Sequence, residues 1–399
     1  MTISALRIAL KGVSAYRGLF QTELMGRVLS LLDALCAGEG EKAVDCYTDI
    51  FRLLRQESFA GLGDWLNDRL RYDASPYPLL VERGESDPAL ENAARRDAET
   101  FALLAGLDCD KLIGDMKALL PDTYHPMLSN LPRWSAGAPF DFDGLTTFYK
   151  VNGAGLFARH RAFLWEKGVL TPVPDPDCPG ERDLLGYDLQ RNQVTANTRA
   201  MLEGHPVNNV LLYGDSGTGK SATVKSLLSV KGFDDLRLIE LHKEDLANMP
   251  FLIRQLRDRR QKFILFIDDL AFDQDDRTYS VLKTILEGGL EPRPANVAIY
   301  ATTNRRHLVR QTFSDRAGDE VDASETIQEK TALADRFGVR IPYLPLNKAE
   351  FLDLVEKLAA LEGLTVDRDE LHAKAIQWEA RHPGRTPRTA RQFIASLKV

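Results

Sequence analysis

Residues 214–221 read GDSGTGKS and directly follow the run NNVLLY. The pattern G-x-x-x-x-G-K-[ST], between a predicted strand and a predicted helix, is typical of a loop that binds phosphate groups. Its glycines, Gly214, Gly217 and Gly219, allow the backbone to wrap closely around an anion with its N–H groups pointing inward. The helix that starts near Lys220 adds the positive end of its dipole. The loop therefore predicts nucleotide binding.

The side chains of this loop have separate expected roles. We expect Lys220 to contact the β- and γ-phosphates of ATP and the Ser221 hydroxyl to ligate Mg²⁺. ATP and Mg²⁺ are thus the predicted ligands, and a glycine-rich turn without a ligand is the alternative. The residues predicted to bind nucleotide here are Gly214, Asp215, Ser216, Gly217, Thr218, Gly219, Lys220, Ser221 and Ala222.

Around the loop, short apolar runs alternate with segments of helix length. The predicted strands are NVLLY, LRLIEL, KFILFID, NVAIYA and RIPYL. Strands that alternate with helices predict a parallel sheet covered by helices on both faces. We therefore expect an αβα core at residues 184–345 and a helical lid at 346–399. In the lid, the residues predicted to share one apolar stripe are Phe351, Leu354, Leu358 and Leu361, with Gly363 as the helix stop.

The strand FILFI is followed by two carboxylates, Asp268 and Asp269. A carboxylate at the end of a strand that neighbours the loop can hold Mg²⁺ through water, and we assign this role to Asp268. Asp269 is then expected to polarise the attacking water as a general base. The alternative for Asp269 is a helix N-cap or an ordinary loop carboxylate.

Two further polar residues fit the same reaction. Asn304 ends the strand run NVAIYATTN, which we place between the loop strand and the acidic strand, where its amide could orient the attacking water. Taken alone, TTN is a turn signal. Arg336, in LADRFGVRIPY, is expected to reach the γ-phosphate of a neighbouring subunit as an arginine finger. The alternative is a surface arginine that pairs with Asp335 or with a helix C-terminus.

Near the end of the chain, GRTPRTARQF contains a candidate lid residue. Thr386 is expected to cap a helix whose first residue is Pro387. Arg388 then projects from the first helical turn and can meet a phosphate. Arg385 and Arg391 are the alternatives for this role.

The first 170 residues have a helical pattern without a catalytic constellation, and TPVPDPDCPGERD at 171–183 predicts a stiff linker. The segment GAGLFARHRAFLWEKG mixes aromatic and basic residues. We interpret it as a helix with an apolar face and arginines that extend to solvent, and a nucleic-acid surface is the alternative. We likewise interpret two basic segments, RQLRDRRQKF and TTNRRHLVR, as solvent-exposed faces rather than nucleic-acid surfaces.

Five of these features occur in the order typical of one protein family: the glycine-rich loop, the two carboxylates after FILFI, Asn304, Arg336 and Arg388. Together they resemble the AAA+ ATPases. The resemblance covers about residues 184–399 and implies a P-loop NTPase three-layer αβα core with a parallel sheet and a C-terminal helical lid. The helical pattern of residues 1–170 adds an all-α N-terminal domain. The resemblance makes GDSGTGKS the Walker A motif and FILFIDD the Walker B motif. Asn304 becomes sensor 1, Arg336 the arginine finger and Arg388 sensor 2. The segment LLGYDLQRNQVTANTRAML resembles the one that packs on adenine, around Leu185 and Gly186.

A closer resemblance covers most of the chain. The runs LLGYDLQRNQVTANT, EGGLEPRPANVAIYATTNRRHL and GRTPRTARQF, with a helical front half that ends in GAGLFARHRAFLW, resemble the bacterial ATP-binding proteins of domain of unknown function 815. This resemblance implies an AAA+ ATPase and leaves its substrate open.

The sequence departs from the AAA+ pattern at two places. Asp269 stands where glutamate is usual. The shorter side chain still offers a carboxylate, so we expect ATP hydrolysis to occur, but at a low rate. Protein unfoldases carry an aromatic–hydrophobic–glycine loop that faces a pore, and the corresponding region offers only Met249 and Phe251 beside Pro250. A motor that threads protein chains is therefore not favoured.

These features predict an oligomeric ATPase that assembles or remodels a macromolecular partner. The alternatives are an ATP-binding switch with little hydrolysis of its own and a P-loop kinase. The net charge of −7 gives no general attraction to nucleic acid, so a protein partner is favoured. The four cysteines form no C-x-x-C pair, and Arg7 and Lys11 interrupt the first apolar run. We expect a cytoplasmic protein that is not in a membrane.

Overall fold

The computed structural model describes residues 2–135, 137, 141–180, 183–272, 277–287, 292–304, 333–382 and 384–398. The chain divides into two compact units, Met1–Arg159 and His160–Val399. In the described residues no helix has both the length and the apolar character to cross a membrane.

The described part of the first unit is helical, as its periodicity predicts. The apolar residues of its helices meet in one core, where Leu24, Val28, Tyr47 and Ile50 are all buried. Its helices are α1 (Ile3–Lys11), α2 (Glu23–Ala37), α3 (Gly40–Gln56), α4 (Leu62–Arg71), α5 (Pro76–Glu82), α6 (Pro88–Ala105), α7 (Cys109–Leu119), α8 (His125–Ser129), α9 (Phe142–Asn152) and α10 (Leu156–Arg159).

A buried carboxylate on α6 holds the turn that follows α1. Asp97 is only 1% exposed, and its Oδ2 accepts hydrogen bonds from the backbone N–H groups of Ser14 at 2.9 Å and Ala15 at 2.7 Å. The backbone N–H of Tyr16 lies 3.4 Å from the same oxygen. Three donors that have no helical partner are thereby satisfied in the core, which fixes where the chain turns from α1 toward α2.

The second unit contains a seven-stranded sheet in the order β2-β1-β4-β5-β6-β3-β7. Its strands are β1 (Ala162–Glu166), β2 (Val169–Val173), β3 (Val210–Gly214), β4 (Leu236–Leu241), β5 (Lys262–Ile267), β6 (Val297–Thr303) and β7 (Val339–Tyr343). The strand pairs of this sheet are parallel apart from the antiparallel β1–β2 hairpin. The five predicted strands are confirmed, and β6 lies between the loop strand β3 and the acidic strand β5, as expected.

The interpretation of GAGLFARHRAFLWEKG as a helix is wrong for most of its length. Only α10 is helical, and residues 162–166 form β1, in which Phe163 and Trp165 are buried. A two-residue turn follows, with φ of +51° at Lys167 and +81° at Gly168. This geometry suits a tight hairpin, because two positive φ values match the twist of the strands that it joins. The predicted helical segment 1–170 thus includes a strand that pairs with β4.

Helices complete the second unit. They are α11 (Asp188–Leu202), α12 (Lys220–Ser226), α13 (Met249–Leu256), α14 (Arg277–Glu287), α15 (Lys348–Leu361), α16 (Arg368–Glu379) and α17 (Pro387–Ser396). The last three pack around one apolar cluster that includes Phe351, Leu354 and Phe393, and they form the predicted lid. Leu361 does not belong to the buried stripe, since it is 59% exposed. The predicted P-loop NTPase fold, an αβα core with a C-terminal helical lid, is confirmed.

We predict that Asp97→Ala lowers the free energy of unfolding by about 3 kcal/mol, because it leaves buried backbone donors without an acceptor. The control is Glu99→Ala, on the exposed side of α6, which is expected to change stability by less than about 0.5 kcal/mol. Urea titration of the full chain measures both values. Equal stability of the two variants contradicts the structural role of Asp97.

Candidate functional site

The glycine-rich loop joins β3 to α12 at the carboxyl edge of the sheet. Gly214 has a φ of +135°, and a Cβ at this position would lie 2.1 Å from the carbonyl oxygen of Tyr343 on the neighbouring strand β7. Only glycine allows this close approach. The backbone N–H of Asp215 donates to the same carbonyl at 3.2 Å. The start of the loop is therefore fixed to the end of β7.

The Lys220 side chain turns back into the loop at the first residue of α12. Its Nζ donates to the carbonyl oxygens of Gly214 at 2.9 Å and Asp215 at 2.7 Å, and to Oδ1 of Asn304 at 2.8 Å. Burial lowers the pKa of this ammonium group, while the carboxylate of Asp269 opposes the shift. The cation is thus held between the loop and the end of β6.

The predicted metal ligands lie side by side. The Ser221 hydroxyl donates to Oδ1 of Asp268 at 2.5 Å. Thr302, at the end of β6, donates from Oγ1 to the same carboxylate oxygen at 2.5 Å. A hydroxyl and a carboxylate are the hard oxygen ligands that Mg²⁺ prefers, so these residues fit the predicted ion. The contact of Thr302 was not predicted, because it depends on the pairing of β5 with β6.

Asn304 links the acidic strand to the lysine. Its Nδ2 donates to Oδ1 of Asp269 at 2.9 Å, while its Oδ1 accepts from Lys220. Asp269 lies in a turn, well before α14, with a φ of +49°, and its backbone N–H donates to Thr302 Oγ1 at 2.9 Å. It is therefore not a helix N-cap. Its carboxylate faces the lysine and the amide in one cluster.

The lid meets the loop through Arg388. Thr386 caps α17 by accepting from the N–H of Thr389 at 3.2 Å, as predicted. The backbone N–H of Arg388 then donates to the Gly217 carbonyl at 3.2 Å, and its guanidinium lies 3.4 Å from the Ser216 hydroxyl.

The two alternatives to Arg388 lie in different places. Arg385 forms an ion pair with Glu379 at 3.5 Å, and it is not among the residues that line the cavity described below. Arg391 does line that cavity. Arg388 therefore contacts the loop, and Arg391 reaches the same cavity without a hydrogen bond to the loop among the described residues.

A cavity of about 640 Å³ joins these groups. This volume is in the range of ligand pockets of nucleotide size. Several parts of the second unit line the cavity. They are Ser216–Thr223 of the loop and α12, Asp268 and Asp269 after β5, Thr302 and Asn304 at the end of β6, Pro387, Arg388, Arg391 and Gln392 of the lid, the segment Asp183–Tyr187, and Asp177, Pro179, Arg191, Lys225 and Tyr343. Leu185 and Gly186, predicted to contact adenine, are thus brought to the same cavity as Lys220.

The segment that carries Leu185 and Gly186 is held by an arginine that sequence reasoning missed. Arg191 on α11 donates to the carbonyl of Leu184 and, at 2.8 Å, to that of Gly186, and it pairs with Asp188. Its position one turn into the helix is the only signal that the sequence offers.

Arg336 does not line the cavity of its own chain. It is 49% exposed and pairs with Glu287 at the end of α14, at 3.0 Å. Arg336 is thus a surface arginine that is paired at the end of a helix, as the alternative predicts, and its partner is Glu287 rather than Asp335, which pairs with Arg340 at 2.5 Å. Of the other basic residues considered, Arg254 and Arg257 are exposed, whereas Arg305, Arg306 and Arg310 lie outside the described residues.

Sequence comparison assigns the chain to a family. The family described as protein of unknown function (DUF815) has a sequence model that matches residues 158–399, more than half of the chain. The chain belongs to the DUF815 family. Among curated proteins no sequence matches this DUF815 protein.

Solved structures similar to this DUF815 protein include RuvB of Thermotoga maritima. One point mutant of RuvB shares 15% sequence identity and a TM-score of 0.38, over 54% of this chain and 63% of that one. A second structure, described as the RuvB Holliday junction branch migration motor of the same organism, shares 14% sequence identity with a TM-score of 0.38. The match covers 55% of this chain and 64% of that one. The chain therefore spans less than two thirds of these structures. The assignment of the fold depends on the strand order and the loop rather than on these similarities.

We predict that Gly217→Ala weakens nucleotide binding by about tenfold, or ~1.4 kcal/mol. An added Cβ would lie 3.0 Å from the Cβ of Arg388 and 3.2 Å from the hydroxyl of Thr386, so the lid must move away. Gly204→Ala is the matched control, since its φ of +85° carries similar strain while nothing lies within 4 Å. Titration with a fluorescent ATP analogue measures both. Equal weakening in both variants would show that lid contact at Gly217 is irrelevant.

Proposed function

We propose that this DUF815 protein is an oligomeric ATPase that binds Mg-ATP and couples its hydrolysis to the assembly or remodelling of a macromolecular partner. The observation that carries the proposal is the contact of Lys220, Asn304 and Asp269 in one cavity, beside the Ser221–Asp268 pair. A cation, a metal site, a carboxylate and an orienting amide are the groups that phosphoryl transfer to water needs.

Each residue has a defined part in this proposal. The N–H groups of the loop and Lys220 hold the β- and γ-phosphates, where Mg²⁺ supplies charge neutralisation when bound. Ser221 ligates the ion and Asp268 holds its water shell. Leu185 and Gly186 contact the adenine.

Asp269 and Asn304 act on the attacking water. Asp269 accepts the proton of the water as general base, and Asn304 fixes the position of that carboxylate by its 2.9 Å hydrogen bond. Asp269 is one methylene shorter than glutamate, so the carboxylate reaches less far toward the γ-phosphate. Turnover is accordingly slow unless the site closes around the nucleotide.

Two arginines complete the site from different directions. Arg388 closes the lid of its own chain over the phosphates, which its contacts with Ser216 and Gly217 favour. Arg336 lies outside the cavity of its own chain, so we assign it to the site of the next subunit. Arginine fingers raise the rate by roughly 10³ to 10⁵. A lone subunit is therefore nearly inactive.

The proposed partner is a protein rather than nucleic acid, because the net charge is −7 and the exposed arginines of the 254–260 segment are few. We assign partner recognition to the first unit. All four cysteines are free thiols, which supports a cytoplasmic location.

A second candidate function is an ATP-binding switch with little hydrolysis of its own. The observation that favours it is the engagement of Asp269 Oδ1 by Asn304, which occupies one oxygen of the short general base. Such a protein would bind ATP, assemble, and remain in that state.

We predict that Lys220→Ala and Arg336→Ala chains are each nearly inactive alone and regain ATP turnover when mixed. In a mixed ring, an Arg336→Ala site can receive the finger of a Lys220→Ala neighbour. If equal amounts of the two chains assemble at random head to tail, about a quarter of the sites combine an intact Lys220 with an intact Arg336 from the neighbouring chain. Phosphate release is the measurement, after the chains are mixed and allowed to exchange subunits.

Arg340→Ala is the matched control, because Arg340 is an exposed arginine nearby that pairs with Asp335. It should retain the turnover of the unmodified chain. If the mixture of the two inactive chains stays inactive while mixed oligomers form, Arg336 does not act between subunits.

A further inference from the structure

Tyr343, the last residue of β7, lies at a junction that the proposed chemistry does not use. It is 1% exposed and lines the nucleotide cavity. Its backbone carbonyl accepts from Asp215 N–H at 3.2 Å and lies against Gly214. The residue therefore contacts the beginning of the phosphate-binding loop with its main chain.

The hydroxyl of Tyr343 contacts the other end of the same loop. Its Oη lies 2.9 Å from Oγ1 of Thr223, and Thr223 donates its own hydroxyl hydrogen to the Gly219 carbonyl at 2.9 Å. Since a threonine hydroxyl has one hydrogen, Tyr343 must be the donor to Thr223. Burial raises the pKa of Tyr343 to about 12, so the hydroxyl keeps this hydrogen at neutral pH.

The ring of Tyr343 contacts a different part of the cavity. It stacks on the ring of Tyr187, with centroids 4.9 Å apart and planes inclined by 27°. Tyr187 has a φ of +56°, which is rare for a bulky residue. Its hydroxyl donates to the Leu344 carbonyl at 2.5 Å, which holds this unusual conformation.

Tyr187 ends the segment that provides the two leucines among the cavity-lining residues, Leu184 and Leu185. Aliphatic side chains suit the flat face of a nucleotide base, whereas Lys220 and Ser221 suit phosphates. The stacked pair thus connects the apolar lining to the polar lining. Both ends of the phosphate loop and the base side of the cavity thus meet at one buried residue, Tyr343, through its main chain at the beginning of the loop and through its side chain elsewhere.

We propose that Tyr343 is a positioning residue that makes the base and phosphate subsites of this cavity reinforce each other. This inference rests on the proposed function and concerns how the same site recognises its nucleotide. The Tyr343 hydroxyl fixes the spacing between the Tyr187 segment and the loop. The two subsites are therefore held at a fixed spacing before a ligand binds. Binding of a ligand that occupies both subsites then costs less entropy.

The test compares Mg-ATP with tripolyphosphate, which has the phosphates but no base, by calorimetry on the full chain. In the unmodified protein, ATP should bind more tightly than tripolyphosphate. Tyr343→Phe removes the hydroxyl and keeps the ring. We expect it to reduce the ratio of the tripolyphosphate dissociation constant to the ATP dissociation constant by about tenfold, mostly through weaker ATP binding.

Tyr300→Phe is the matched control. Tyr300 is a buried tyrosine of the same sheet, and its hydroxyl bonds to Asn197 and Thr198 rather than to the loop. It should lose comparable stability and keep the ratio unchanged. Thr223→Val removes the same hydrogen bond from the other side, so Tyr343→Phe combined with it should reduce the ratio little further.

Three outcomes overturn the inference while the proposed function stands. The first is an unchanged ratio in Tyr343→Phe, whether neither ligand weakens or both weaken equally. The second is a Tyr300→Phe variant that changes the ratio as much, and the third is unmodified protein that binds ATP no more tightly than tripolyphosphate. If the unmodified protein binds neither ligand, the proposed function itself fails.

Discussion

One buried ammonium group joins the parts of the candidate site. Lys220 Nζ donates to two carbonyls of the loop and to Asn304 at the end of β6, and Asn304 donates to Asp269 beyond β5. A buried cation requires such acceptors, because an uncompensated charge in a low dielectric is costly. The order β5-β6-β3 brings these acceptors together. The contact of Lys220 with Asn304, and of Asn304 with Asp269, therefore depends on the pairing of β6 between its two neighbours.

The lid and the end of β7 both border the same site. The lid touches the loop at Gly217 through Arg388, and within the lid the backbone N–H of Leu346, just after β7, donates to the Arg385 carbonyl at 2.9 Å. Tyr343 lies just before this connection and contacts both ends of the loop. The end of β7 therefore contacts the loop and leads into the lid. The proposed finger, Arg336, lies just before β7 in the chain.

Much of the fold was predictable because its signals are local. The central strands are unbroken apolar runs such as KFILFI, and the glycines of the loop have a fixed spacing. Thr386 caps α17 and Pro387 is its first residue, as the local sequence predicts. The β1–β2 hairpin was missed because β1 gains its stability from pairing with β4, more than 70 residues away, and its alternation is short. The roles of Thr302 and Tyr343 depend on contacts between distant strands and helices, which no local pattern records. Arg191 contacts residues within seven positions of it, but no motif marks which arginine of such a helix bonds to the preceding segment.

The most direct test of the account is ATP turnover per chain over a wide range of protein concentrations. If Arg336 completes the site of a neighbouring subunit, turnover per chain should rise steeply as the subunits assemble and then reach a plateau. Binding of ATP should change much less over the same range. If turnover per chain is flat and near zero at every concentration while ATP remains bound, the chain is a nucleotide switch, and the proposal of an ATPase completed between subunits is wrong.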